Sequence, residues 1–296
     1  VTESTEVTGP VAEVTTPIAV EGEVSTPVAR HYTRNALLST LLDALVAAGK
    51  TVSPIDSDDL ASIDELHAGG RTATVRLADL LAPSAGDRVL DLGCGVGGAS
   101  RYLARYFGAQ VTGVDQSRDF VDVAQELSAR AGLGELTRFE RASVTSLPFE
   151  KESFDSAVML HVGMNVEDKA ALCAEVSRVL RPGGRFALYD VMRLSVEDEL
   201  TYPVPWASNS GMSFLEQPAE YHRVLTGAGF DVEHEADLRE LALEQAARLH
   251  ELAADELPAL GPHLVIGDRF RVKAENLAKA IGAGLVSPVQ LLAVRS

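Results

Sequence analysis

In the stretch RVLDLGCGVGGASRYL, Arg88 to Leu103, a carboxylate stands just ahead of a glycine cluster: Asp91 precedes Gly93, Gly95, Gly97 and Gly98. Gly93, Gly95 and Gly98 match G-x-G-x-x-G, a turn between strand and helix where a ligand can approach backbone N–H groups at the helix N-terminus. That geometry serves a pyrophosphate, and it equally serves the carboxylate of an amino-acid moiety. Asp91 separates these guests. A carboxylate at the lip of the first strand repels a pyrophosphate but balances an ammonium group, directly or through water. A second acid, Asp115, ends the segment QVTGVD, where an acid commonly accepts hydrogen bonds from ribose hydroxyls. Gln116 follows it, placed to lie against an adenine, and Ser143 and Val144 at the end of a third strand can meet the edge of that base.

An adenosine carrying ammonium, carboxylate and sulfonium satisfies both acids, which favours S-adenosylmethionine over a nicotinamide dinucleotide. Methyl transfer from a sulfonium is an in-line displacement that requires alignment and exclusion of water, and no metal is intrinsically needed. His161, in the segment HVGMN with Asn165, follows the fourth strand and so falls beside the crevice at the strand ends. It can accept a proton from the acceptor, orient the acceptor, or hold the carboxyl end of the cofactor; a satisfied structural histidine is the plainer reading. His31, Tyr32, Tyr202 and Trp206 are candidates for an opposing wall, with Tyr32 also a catalytic candidate beside His161, since aromatic faces attract a sulfonium or quaternary ammonium, although core packing explains them equally well. Arg193 is a candidate partner for an acceptor carboxylate. No His/Asp or His/Glu pair in the sequence compels oxygen-directed chemistry.

The elements that must position these residues follow from apolar periodicity. RVLDLG, QVTGVDQS, LTRFERAS, FDSAVMLHV and GRFALYDV are short apolar strands separated by helical segments, with RPGG as the turn before the fifth. Such alternation implies right-handed crossovers and a mostly parallel sheet covered on both faces. Residues 1–29 are expected to form a flexible tail, residues 30–85 an N-terminal helical cap, and residues 86–296 the ligand-binding α/β domain. Cap insertions are expected near 193–215 and 239–283. The net charge of -17 argues against a general affinity for nucleic-acid backbones or anionic lipid. Cys94 and Cys173 stand far apart with no CxxC, so neither a disulfide framework nor a zinc site is indicated. With no basic segment leading into an apolar run, a soluble cytoplasmic protein is expected, with a homo-oligomer left open.

The stretches VLDLGCGVGGASRYLA, VTGVDQS, SLPFEKESFDSAVMLHVGMNVEDK and EVSRVLRPGGRFALYDV resemble the class I, seven-stranded S-adenosylmethionine-dependent methyltransferases. HYT, LHAGG, HVGMN and YPVPWA look most like small-molecule methyltransferases of the sarcosine/dimethylglycine type. The resemblance implies a Rossmann-like sheet of order 3-2-1-4-5-7-6 with the seventh strand antiparallel, flanked by helices. It implies that Asp91, Gly93, Gly95 and Gly97 surround the methionine portion, that Asp115 binds the ribose and that Gln116 borders the adenine. Many relatives carry an Asp where this chain has Ser143, which shifts adenine recognition toward Val144. The expected function is methylation of a small molecule, with the amine of a glycine derivative as first reading. Oxygen- or carbon-methylation of a natural product is the alternative, and a noncatalytic S-adenosylmethionine-binding protein would also keep Asp91 and Asp115.

Overall fold

The structure, a computed structural model, describes residues 27–196, 198–251 and 257–296, with side chains from residue 36 onward. Three N-terminal helices, α1 (Pro27–Ala47), α2 (Ala61–Asp64) and α3 (Gly70–Leu81), precede the sheet. The chain then alternates β1 (Arg88–Leu92), α4 (Gly98–Phe107), β2 (Gln110–Asp115), α5 (Arg118–Arg130), β3 (Thr137–Arg141), β4 (Phe154–Leu160), α6 (Lys169–Val179) and β5 (Leu180–Arg193). It continues with α7 (Pro218–Gly227), β6 (Phe230–Asp237), α8 (Arg239–Glu251), α9 (His263–Ile266), α10 (Phe270–Gly282) and β7 (Val286–Arg295). The seven strands lie in the order β3-β2-β1-β4-β5-β7-β6, and β7 runs antiparallel to both neighbours. Among the described residues no helix is long and apolar enough to cross a membrane.

Both faces of the sheet are buried, because successive side chains of a strand point to opposite sides. Leu90 and Leu92 pack with Val176 and Leu225 on the face covered by α6 and α7. Val89 packs with Leu77 and Leu103 on the face covered by α3 and α4. A further cluster joins Leu41, Leu45 and Ile63 to Val123 and Leu127, seating the N-terminal helices on α5. Helix starts are set locally: the Ser117 side chain accepts from the Phe120 N–H at 3.3 Å and Asp168 from the Ala171 N–H at 2.8 Å, each satisfying a donor with no intrahelical partner.

RPGG is not simply the turn ahead of the fifth strand. Leu180 already pairs with Phe154, and pairing resumes at Ser156 with Arg185, so the four residues between bulge out of a ladder that starts earlier. Gly183, at φ 72°, supplies the left-handed backbone this excursion needs. The sheet's consequence for function lies between β1 and β4, its adjacent central strands. The crossovers depart on opposite sides there, leaving a crevice at the C-terminal strand ends.

Candidate active site

A cavity of 340 Å³ occupies that crevice, lined by Asp91, Gly93, Gly95, Asp115, Gln116 and Val144 among others. The backbone N–H groups of Gly93 and Cys94 both donate to Val114 O, at 2.8 and 2.9 Å, and fold the loop back on β2. Gly93 has φ 71°, and a Cβ there would stand 2.3 Å from Val162 Cγ2, so the position takes only glycine without rearrangement. Asp91 is 1% exposed and accepts from Ser100 Oγ at 2.6 Å. Burial, reinforced by the charge of Asp115, pushes its carboxyl up to about 6. Asp115 is likewise raised by burial, although it accepts from the Ser117 N–H at 2.8 Å and the Gly95 N–H at 3.1 Å. Two buried carboxylates that are costly to ionise suit a ligand bringing its own cation and hydroxyl donors.

Two histidines, His67 and His161, also line this cavity. His161 sits at φ 53°, its N–H donating to Tyr189 O at 2.8 Å, and its buried Nε2 has no hydrogen-bond partner among the described residues. Burial first, and then the charge of His67, hold it well below the ordinary histidine value. The His67 ring lies 5.6 Å away, centroid to centroid. His67 Nε2 is 2.9 Å from Glu65 Oε2 and 3.1 Å from Thr74 Oγ1, and Thr74 donates to the same carboxylate at 2.5 Å. Burial raises Glu65, but the bond and charge of His67, then Arg71 at 2.9 Å, bring it below the usual range. Leu66, His67 and His161 also line a second cavity of 430 Å³. Its other walls are largely apolar, with Ala246, Leu249, Ile266, Phe270, Leu277 and Ile281 from α8, α9 and α10. The two histidines thus stand where the cavity that holds Asp91 and Asp115 meets a largely apolar one.

A family profile described as a methyltransferase domain matches residues 90–188, the segment that supplies most of the first cavity's lining. The 27-O-demethylrifamycin SV methyltransferase of Amycolatopsis mediterranei is 30% identical over 228 residues, covering 74% of this chain and 82% of that protein. The chain belongs to the S-adenosylmethionine-dependent methyltransferases. The methyltransferase GfsG of Streptomyces halstedii is 36% identical over 184 residues, 62% of this chain and 66% of that protein. Matches to curated relatives span from about a third to four fifths of their length. The fold is shared with geranyl diphosphate C-methyltransferase of Streptomyces coelicolor, solved with S-adenosyl-L-homocysteine. The TM-score is 0.66 at 20% identity, covering 90% of this chain and 96% of that one.

The methyltransferase places its sequence-predicted residues unevenly. Asp91, Gly93, Gly95, Asp115, Gln116, Val144, His161 and Asn165 all line the first cavity. Ser143 does not: its Oγ is engaged with Thr145 Oγ1 at 2.9 Å, leaving Val144 on the wall. Gly97 does not either; at φ 88° it packs where a Cβ would meet Ala124 and Phe139 at 3.0 Å, so its glycine serves packing of α4 against the sheet. Arg193 turns to its own loop, donating to Ser195 O at 2.7 Å and to Asp198 O, and lines neither cavity. Tyr202 and Trp206 pack in the cluster of Leu200, Leu277 and Ile281, and Trp206 Nε1 donates to Ser213 Oγ at 3.0 Å. Their neighbour Pro205 reaches the apolar cavity instead. His31 and Tyr32 fall in α1, with side chains outside the described residues.

Asp64, Glu65 and His67 are the residues the sequence reading missed. Their signal was the short run IDELHAGG. Side chains two apart do not meet on a helix, but α2 ends at Asp64 and Glu65 takes φ -87° and ψ 80°, which lets Glu65 and His67 turn together. A His/Glu pair therefore exists, where none was read from the sequence.

Proposed function

We propose that this methyltransferase transfers the methyl group of S-adenosylmethionine to an oxygen atom of an apolar, hydroxylated natural product. The observation that carries the reading is the apolar cavity lined by His161, whose Nε2 has no hydrogen-bond partner among the described residues. When bound, S-adenosylmethionine supplies a methyl group made electrophilic by its sulfonium. Asp91 balances the ammonium, Asp115 accepts from the ribose, and Gln116 and Val144 border the adenine. His161, neutral at physiological pH because burial disfavours its charge, takes the hydroxyl proton through Nε2 as the oxygen attacks. Glu65 holds the His67 ring facing that point, and the apolar helices exclude water that would compete as acceptor.

A glycine-derived amine, the first reading from the sequence, has weaker support. Its carboxylate would need a cationic partner, and Arg193 is committed to its own loop. The relative from Amycolatopsis carries an oxygen position in its name, which favours the oxygen reading, with carbon-methylation next to it. The test is to measure S-adenosylhomocysteine formation with hydroxylated polyketide aglycones and, separately, with sarcosine and dimethylglycine. Turnover with the aglycones and none with the amines is expected; the reverse overturns the reading.

A further inference from the structure

Asp64, the last residue of α2, is a buried acid that the reading above does not use. It lies against the N-terminus of α4, where a Cβ at Gly98 would stand 2.4 Å from Asp64 Cβ. Its side chain is 1% exposed. One oxygen, Oδ1, accepts from Arg101 at 2.5 Å, and that guanidinium is itself fixed, donating to Val96 O at 2.8 Å and to Ser128 Oγ at 3.2 Å. The other oxygen, Oδ2, has no hydrogen-bond partner among the described residues. Asp64 also lines the cavity that holds Asp91, Gly95, Gly98 and Ala99. A buried carboxylate oxygen in a ligand cavity without a donor calls for one.

The cofactor offers donors at three places: the ammonium, the ribose hydroxyls and the adenine amino group. Asp115 and Gln116 mark the adenosine end, at the tip of β2. Asp64, at the end of α2, packs against Gly98 where the glycine loop enters α4, the helix whose Ser100 holds Asp91, and the charge of Arg101 acts on both Asp64 and Asp91. With both carboxylates ionised, these three side chains leave one net negative charge, matched by one ammonium. A bare helix N-terminus would attract the cofactor's carboxylate. Here the Asp64 carboxylate stands beside that terminus, and its negative charge opposes the preference.

We propose that Asp64 is a second carboxylate for the cofactor's α-ammonium, opposite Asp91, so that the N-terminal helical segment closes the methionine end of the site. The inference rests on the S-adenosylmethionine site described above. Arg101 is its positioning residue, fixing Asp64 without reaching the ligand.

The test is calorimetric titration with S-adenosylhomocysteine and with 5′-methylthioadenosine, which keeps the adenosine and sulfur but lacks the amino acid. Asp64→Asn is expected to weaken S-adenosylhomocysteine binding about tenfold or more, the range of a hydrogen bond to a charged group, and to leave methylthioadenosine binding unchanged. Equal weakening of both ligands, or of neither, overturns the proposal. Where Asp64→Asn fails to fold, an Asp64→Leu/Arg101→Met double variant removes the whole buried pair, which proteins often tolerate, and the same selective loss is expected. If neither ligand binds the unaltered protein, the cofactor reading itself fails, separately from this proposal.

Discussion

Lowering the pH from 7 to 5 should weaken S-adenosylhomocysteine binding, and Asp91 sets the size of the effect. In the free protein burial, then the neighbouring Asp115, lift the Asp91 carboxyl to about 6 against the opposing bond from Ser100. An ammonium ligand binds the ionised form. Affinity is therefore full above that value and is lost as pH falls through it. With a value near 6, about ten in eleven molecules carry the carboxylate at pH 7 and about one in eleven at pH 5, a loss of about tenfold, or ~1.4 kcal/mol. If Asp64, also raised to about 6 by burial, shares the ammonium, the fall is steeper than one decade per pH unit, and Asp64→Asn restores the single decade. S-adenosylhomocysteine is the right ligand because it lacks the sulfonium, so protonation of His161 at low pH adds no repulsion there. Calorimetry at several pH values, in two buffers of different ionisation enthalpy, gives both the affinity and the protons exchanged. Release of protons on binding below pH 6 is expected; flat affinity, or proton uptake, refutes the assignment.

Glu65→Gln should lower kcat while leaving S-adenosylhomocysteine affinity unchanged, because the carboxylate acts on His67 rather than on the cofactor; kinetics alongside calorimetry checks this, and unchanged kcat contradicts it. Ala246→Phe should fill the apolar cavity and raise the acceptor's KM by tenfold or more, the range for a group misfitting an apolar pocket, with cofactor affinity intact. Gly93→Ala should reduce stability by ~1–3 kcal/mol from backbone strain at positive φ, with further loss from the contact with Val162, read as a lowered Tm. Asp190 accepts from Tyr221 at 2.6 Å, and burial lifts it to about 7, far above its unfolded value. Its contribution to stability is thus greatest at low pH and is lost as pH rises through 7. Asp190→Asn should flatten the fall in Tm between about pH 4 and 7, the interval between its unfolded and folded values.

The sequence made the β1–α4–β2 unit legible because glycines, apolar runs and acids at strand ends each constrain the backbone. Asp91 and Asp115 could be placed for that reason: a residue at the C-terminal lip of a parallel strand has few places to go. The strand order came from resemblance, since pairing between distant strands leaves no local mark. Side-chain direction beyond a strand end was not legible. Arg193, Tyr202 and Trp206 lie close in sequence to the crevice, yet each finds a nearer partner in its own loop or in the cluster beneath α10. The same limit hid Glu65 and His67, whose meeting depends on where α2 stops. Ser143 leaves the wall to Val144 because residues 143–146 close a tight turn in which the Ser143 hydroxyl bonds Thr145.

The most direct test of the account is to follow a labelled methyl group from S-adenosylmethionine into an apolar fraction of natural products and locate it by mass spectrometry and nuclear magnetic resonance. Label on the oxygen of a hydroxylated apolar acceptor, abolished by His161→Ala with cofactor binding retained, is the predicted result. Label on the nitrogen of sarcosine or dimethylglycine, or transfer undiminished by His161→Ala, would contradict it.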